Sequence, residues 1–257
     1  MEIERRSYVV TGGGRGVGRA VVERLLGEGH AVVVIELDPE PGPAGAAALS
    51  RHGVDTDTPR PVVVTGSAAD VAMAERAADL AQQAGRFAGW VNNAAVFRDA
   101  ALDTAPADEI MGLISRNLEP AVVGCATAVR RWLAAGVPGA IVNVSSHQAR
   151  RPVRGALPYA TAKAAIEGLT SALAVDYGPH GIRANAVALG RSRRISAFGR
   201  GEFRQRRGSA GRRGPRRLRP GPGGALSRAA SFPAWPALRV SIRRSSSGGC
   251  SAASSGG

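Results

Sequence analysis

Up to residue 190 the chain alternates short, β-branched apolar runs with longer Ala-rich windows of helical length. Residues 7–10 precede a helical window over 16–28, and residues 31–35 precede a stretch broken by Pro39, Pro41 and Pro43. Residues 61–64 precede a window over 70–84, Trp90-Val91 precedes 106–136, 140–144 precede 158–178, and 182–187 form a sixth strand. The strands read as continuous apolar runs, the pattern of strands covered on both sides. Strands joined by helical crossovers pair in parallel, so the spacing predicts an α/β fold: a doubly wound parallel sheet with helices on both faces. A chain of 257 residues with 44% apolar content is long enough for one such core. No internal repeat is present.

The turn after the first strand reads Thr11-Gly12-Gly13-Gly14-Arg15-Gly16-Val17-Gly18 and runs directly into a helical segment. Glycines there permit a tight turn and close backbone approach, and the helix start presents free N–H groups to a pyrophosphate. Gly12, Arg15, Gly16, Val17 and Gly18 are therefore candidate dinucleotide-binding residues. Strand two ends in Glu36, near the spacing at which an acidic side chain meets the adenosine ribose hydroxyls. A carboxylate there repels a 2′-phosphate, so Glu36 favours NAD over NADP, with Arg15 positioned to soften that preference.

Lys163 is the only lysine in the chain, against 33 arginines, and it follows Tyr159 by four residues. At that spacing on a helix the phenol and the ammonium share a face. A phenol ordinarily loses its proton near pH 10, so acid–base work near neutrality requires roughly 7 to 8, which a neighbouring ammonium and a cationic nicotinamide supply together.

These residues, with Asn92-Asn93-Ala94 after strand four, Asn117 in the next helix and Ser145-Ser146 after strand five, resemble the short-chain dehydrogenase/reductase family over residues 5–190. The resemblance implies a Rossmann-type fold and hydride transfer between NAD(P) and a secondary alcohol or ketone, with a 3-oxoacyl compound among the candidate substrates. It implies Tyr159 as general acid/base, Lys163 as its partner and ligand of the nicotinamide ribose, Ser146 as the residue orienting the substrate oxygen, and Ser145 as the runner-up. Asn117 corresponds to the asparagine holding a relay water. Asn92, Asn93 and Ala94 are expected to line the adenosine-side ribose and to buttress the sheet. The helices over 106–136 and 158–178 could pair subunits as in family dimers, while a tetramer is in doubt.

The pattern also departs from the family. Ala95 replaces a glycine, and Thr65-Gly66-Ser67 stands where an adenine-contacting Asp is common, leaving Asp70 as an open alternative. Leu189 replaces the usual Pro, and Ser192-Arg193-Arg194 replaces the Ile-x-Thr that meets the carboxamide. Residues 1–190 form the expected cofactor-binding domain, and residues 191–257 an Arg/Gly/Ser-rich tail lacking the family's last helix and strand.

Charge marks the same boundary. Residues 1–190 carry 18 basic and 19 acidic side chains, whereas residues 191–257 carry 16 arginines against Glu202 alone, so the excess of +14 belongs to the tail. Three readings of the tail compete: a basic arm for nucleic acid, a disordered low-complexity extension, or a shifted reading frame. The shifted frame accounts best for a family-like total length with the wrong residues and for an abrupt change without a linker. It implies weakened cofactor binding and low turnover. The alternative function is a non-catalytic, cofactor-binding pseudo-enzyme whose polybasic tail binds nucleic acid.

Two cysteines, Cys125 and Cys250, make neither a disulfide framework nor a metal site, and His30, His52, His147 and His180 are scattered. No metal is expected. No signal core and no apolar run of roughly 18 residues is present, so the expectation is a cytoplasmic protein without membrane contact.

Overall fold

The computed structural model describes residues 5–37 and 60–190, with the backbone of 196–198. Its strands are β1 (Arg6–Thr11), β2 (Ala31–Glu36), β3 (Val62–Thr65), β4 (Arg86–Asn92), β5 (Gly139–Ser146), β6 (Ile182–Leu189) and β7 (Ser196–Phe198). Helices α1 (Gly16–Gly27), α2 (Val71–Ala84), α3 (Ala107–Ala135) and α4 (Leu157–Tyr177) connect them. The sheet order is β3-β2-β1-β4-β5-β6-β7, with the first six strands parallel. The expected α/β architecture is present. β7 pairs antiparallel with β6, which the expectation of a purely parallel sheet did not include.

Successive strand residues enter different cores. Val9, Val33 and Ile35 pack with Ala74, Ala77 and Trp132 on the side of α2, α3 and α4. Val10 and Val34 are equally buried, with Val22 of α1 beside Val34 at Gly13. Both tryptophans of the body lie in the core, as expected, and each donates its indole N–H: Trp90 to Asn92 Oδ1 at 2.8 Å and Trp132 to Phe87 O at 2.9 Å. Burying the indole with its donor satisfied avoids the cost of an orphaned polar group.

β4 is longer than the sequence pattern suggested, starting at Arg86 rather than Trp90. The glycine inside it is a packing requirement: a Cβ on Gly89 would lie 2.7 Å from the Tyr8 ring. α2 begins at Asp70, whose carboxylate accepts from Ala72 N at 2.8 Å. The side chain left open as an adenine contact is therefore its N-cap.

β1 has β2 on one side and β4 on the other, so the chain winds outward from it in both directions. At such a switch point the loops beyond the carboxyl ends of two neighbouring strands diverge and leave a crevice. The turns after β1 and β4 stand there. The proline-broken stretch after residue 37 and the tail beyond residue 198 lie outside the described residues. No helix among the described residues is long and apolar enough to cross a membrane.

Candidate active site

A cleft of about 910 Å³ opens at this switch point. One end is made by Gly12, Arg15 and Val17 of the glycine turn, Glu36 and the Gly66-Ser67-Ala68 segment. The other carries Ser146, His147, Tyr159 and Lys163, with Ala94 and Val96 between them.

The glycine turn is held from the neighbouring strand. Thr11 Oγ1 accepts from the amides of Asn93 and Ala94, both at 3.0 Å, and Asn93 Nδ2 donates to Gly12 O at 2.8 Å and Thr11 O at 3.2 Å. Gly12 has a φ of +64°, and a Cβ on it would meet Ala94 Cα at 2.9 Å. A Cβ on Gly18 would fall 2.1 Å from Gly12 O. Arg15, the N-cap of α1, makes no side-chain capping bond. The turn therefore brings backbone close to the cleft and leaves the start of α1 without a side-chain cap, a fit to a phosphate-bearing ligand.

Glu36 is fixed at the same end. Its Oε2 accepts from Gly14 N at 2.8 Å and its Oε1 from Leu37 N at 3.1 Å. The carboxylate is thus oriented by two backbone amides.

At the far end α4 delivers Tyr159 and Lys163, one turn apart. Lys163 is only 2% exposed, and its Nζ donates to Val144 O at 2.7 Å while lying 5.5 Å from the centre of the Tyr159 ring. Burial lowers its pKa to about 8. Burial also raises the Tyr159 phenol above its ordinary value, opposed by a hydrogen bond from the Ser146 hydroxyl. Sequence reasoning anticipated a phenol depressed by the ammonium. In the ligand-free protein burial dominates the phenol, and the group that opposes it is Ser146 rather than the ammonium.

The lysine carries a stability signature. Between about pH 8 and its ordinary value of 10.5 the unfolded chain keeps a proton that the folded protein has lost. Stability therefore rises with pH through that window, and the penalty is full below about pH 8. Relative to Lys163→Met, the unsubstituted chain should gain roughly 2 to 3 kcal/mol between pH 7 and pH 10. Urea unfolding of both proteins at the two pH values checks this.

The two serines separate clearly. Ser145 Oγ donates to Lys163 O at 3.3 Å and Glu167 Oε1 at 3.1 Å, committing it to α4. Ser146 Oγ accepts from Gln148 N at 3.2 Å at the cleft.

Four expected residues lie away from the cleft lining: Asn92, Asn117, Gly16 and Gly18. Asn92 is buried, with Nδ2 donating to Asn143 Oδ1 at 2.8 Å and Oδ1 accepting from Trp90, so its side chain buttresses the sheet rather than facing a ribose. Asn117 Oδ1 accepts from Val96 N at 2.9 Å and its Nδ2 donates to Leu113 O at 3.0 Å. Pro120, inside α3, has no N–H for the preceding turn, and Asn117 ties that weakened turn to the loop after β4. Gly16 and Gly18 shape the start of α1 behind the lining; Gly16 needs its φ of +56°.

Sequence reasoning passed over Val96, Phe97, His147 and Gln148. Phe97 packs edge-on against Tyr159 with ring centres 5.1 Å apart. His147 Nδ1 lies 3.3 Å from Leu189 O. The available signal was adjacency to Ala94 and to Ser146. Among the described residues no group of acidic, histidine or cysteine side chains could hold a metal ion. Cys125 is buried, and desolvation raises its thiol to about 12, leaving it inert.

Comparison with known proteins agrees with this architecture. The family model for short chain dehydrogenase matches residues 6–194. The short-chain reductase protein NovJ of Streptomyces niveus is 37% identical over 186 residues, 71% of this chain and 67% of the relative. Levodione reductase of Leifsonia aquatica is 31% identical over 72% of this chain and 68% of its own length. The crystal structure of a short chain dehydrogenase from Mycobacterium avium superposes with a TM-score of 0.65 at 28% identity, covering 77% of this chain and 72% of that one. With a family model spanning the whole described body and relatives above 30% identity over about seven-tenths of the chain, this protein belongs to the short-chain dehydrogenase family of oxidoreductases.

Proposed function

We propose that the chain is an NAD-dependent reductase that transfers hydride to a ketone, with Tyr159 as the proton donor. The observation that carries this reading is the convergence of Ser146, Tyr159 and buried Lys163 at one end of the cleft whose other end is the glycine turn and Glu36. The dinucleotide supplies the hydride. Ser146 holds the carbonyl oxygen, and the Tyr159 phenol gives its proton to that oxygen as the carbon gains the hydride. The phenolate left behind recovers a proton through Lys163, whose pKa near 8 suits a relay group. A phenol raised by burial is fully protonated at neutral pH, which favours reduction over alcohol oxidation in the resting protein.

Glu36 selects NAD over NADP in this account. Its two amide contacts hold a fixed carboxylate where a ribose 2′-oxygen would bind, and a 2′-phosphate there meets like charge. Glu36→Ser should shift the ratio of NADPH to NADH affinity by about tenfold or more toward NADPH. Fluorescence titration with each reduced cofactor checks this; an unchanged ratio would move the selectivity elsewhere, to Arg15 first.

Asn117 acts in this scheme by tying its turn of α3 to Val96, any relay water resting on its neighbourhood rather than on its committed side-chain amide. Residues 1–190 constitute the cofactor-binding domain in this reading, and residues 191–257, of which only the backbone of 196–198 is described, are the Arg/Gly/Ser-rich tail of the sequence. Two observations support that division: the family match ends at residue 194, and the acidic and basic side chains balance only up to residue 190. The reaction is placed in the cytoplasm, and a small-molecule ketone is the expected partner.

A further inference from the structure

The loop after β4 presents two apolar side chains beside the reacting end of the cleft. Val96 is 45% exposed and Phe97 56% exposed, yet the backbone beneath them is firmly held. Val96 N donates to Asn117 Oδ1 at 2.9 Å, Ala100 N donates to Gly155 O at 3.2 Å, and Ala100 bridges to Ala156, three residues before Tyr159. Gly155, at a φ of +80°, lets the Asp99 carboxylate approach to 3.1 Å of where its Cβ would stand. The exposed aromatic is therefore mounted on a fixed frame. Its ring meets the Tyr159 ring at 67° and 5.1 Å, an edge-to-face pairing that keeps Phe97 next to the proton donor.

An exposed phenyl group held rigidly against the proton donor has an unsatisfied apolar surface, and a flat apolar body bearing a carbonyl complements it. We infer that Phe97, with Val96, is a specificity-determining wall that selects flat, apolar ketones, aromatic or alicyclic, over small aliphatic ones. This rests on the reading of Tyr159 as the proton donor only for the orientation of the bound carbonyl; the apolar contact itself does not require turnover. A planar ring on Phe97 places its carbonyl toward Tyr159 and Ser146, whereas a short aliphatic ketone reaches the hydroxyls without touching the wall.

The test uses the full chain, with and without saturating NADH, and two probes: 2-tetralone as the flat ketone and 2-butanone as the small one. Dissociation constants from ligand-observed NMR are compared for the unsubstituted chain, Phe97→Ala and Phe97→Tyr. Phe97→Ala should weaken 2-tetralone on the order of tenfold and leave 2-butanone within about twofold, while Phe97→Tyr, which keeps the ring, restores 2-tetralone binding. Equal effects of Phe97→Ala on both probes, or none on 2-tetralone, would overturn the inference. Tyr159→Phe separates the two claims. If it binds 2-tetralone normally and still turns over, the proton-donor reading fails while the wall stands; if Phe97→Ala leaves 2-tetralone binding intact while Tyr159→Phe abolishes reduction, the wall fails and the proton-donor reading stands.

Discussion

Replacing Tyr159 by Phe should reduce NADH-dependent ketone reduction by on the order of 10³-fold while leaving NADH affinity and fold stability nearly unchanged. Phe keeps the ring, and with it the edge-on contact to Phe97 and the packing over Lys163. Only the hydroxyl is lost, and with it the hydrogen bond from Ser146 and the proton that the carbonyl oxygen needs. Because turnover of the chain is expected to be slow, the comparison belongs in single-turnover conditions with protein in excess, followed by the loss of NADH absorbance. Retained reduction in Tyr159→Phe would assign the proton to Ser146 or water.

The second large effect is expected from Gly18→Ala. A methyl there would lie 2.1 Å from Gly12 O and 2.5 Å from Asn93 Nδ2. Neither neighbour can yield cheaply, since Asn93 is already spent holding Gly12 O and Thr11 O. Overpacking of this kind costs about 2 to 3 kcal/mol and pushes the glycine turn out of register with α1. NADH affinity should fall on the order of 100-fold. Gly27→Ala, at the other end of α1 with nothing within 4 Å of the added Cβ, is the control and should be neutral or slightly stabilising. Equal NADH binding by both variants would mean that the turn does not hold the cofactor.

Much of this site was legible in the sequence because its chemistry is local. The glycine turn, Tyr159 with Lys163 at helical spacing and Ser146 at the end of β5 each follow from a few consecutive residues and the element carrying them. What escaped was set by tertiary packing. β4 begins four residues before Trp90, and the Gly89 inside it is demanded by the Tyr8 ring, a contact invisible in sequence. Asn92 and Asn93 look equivalent as a pair, yet strand alternation sends one into the Asn143 and Trp90 network and the other to the glycine turn. Choosing between Ser145 and Ser146 likewise requires knowing that Glu167 lies one turn along α4 and engages Ser145.

The Tyr159 titration shows a different limit. The i, i+4 spacing correctly brings an ammonium near the phenol, but the sign of the phenol's shift depends on how deeply both groups are buried, a property of the folded whole. Phe97 is the clearest omission. It carries no motif, and only its contact with Tyr159 marks it as part of the reacting end.

The central claim is that this cleft transfers hydride from a bound dinucleotide to a ketone with Tyr159 as proton donor. Incubating the full chain with NADH deuterated at its transferable position and 2-tetralone, then weighing the alcohol by mass spectrometry, tests it most directly, because product accumulates even when turnover is slow. The account predicts alcohol carrying one deuterium on its carbinol carbon with the unsubstituted chain and none above background with Tyr159→Phe. Labelled alcohol in equal amount from both proteins, or none from either while NADH remains bound, would contradict it.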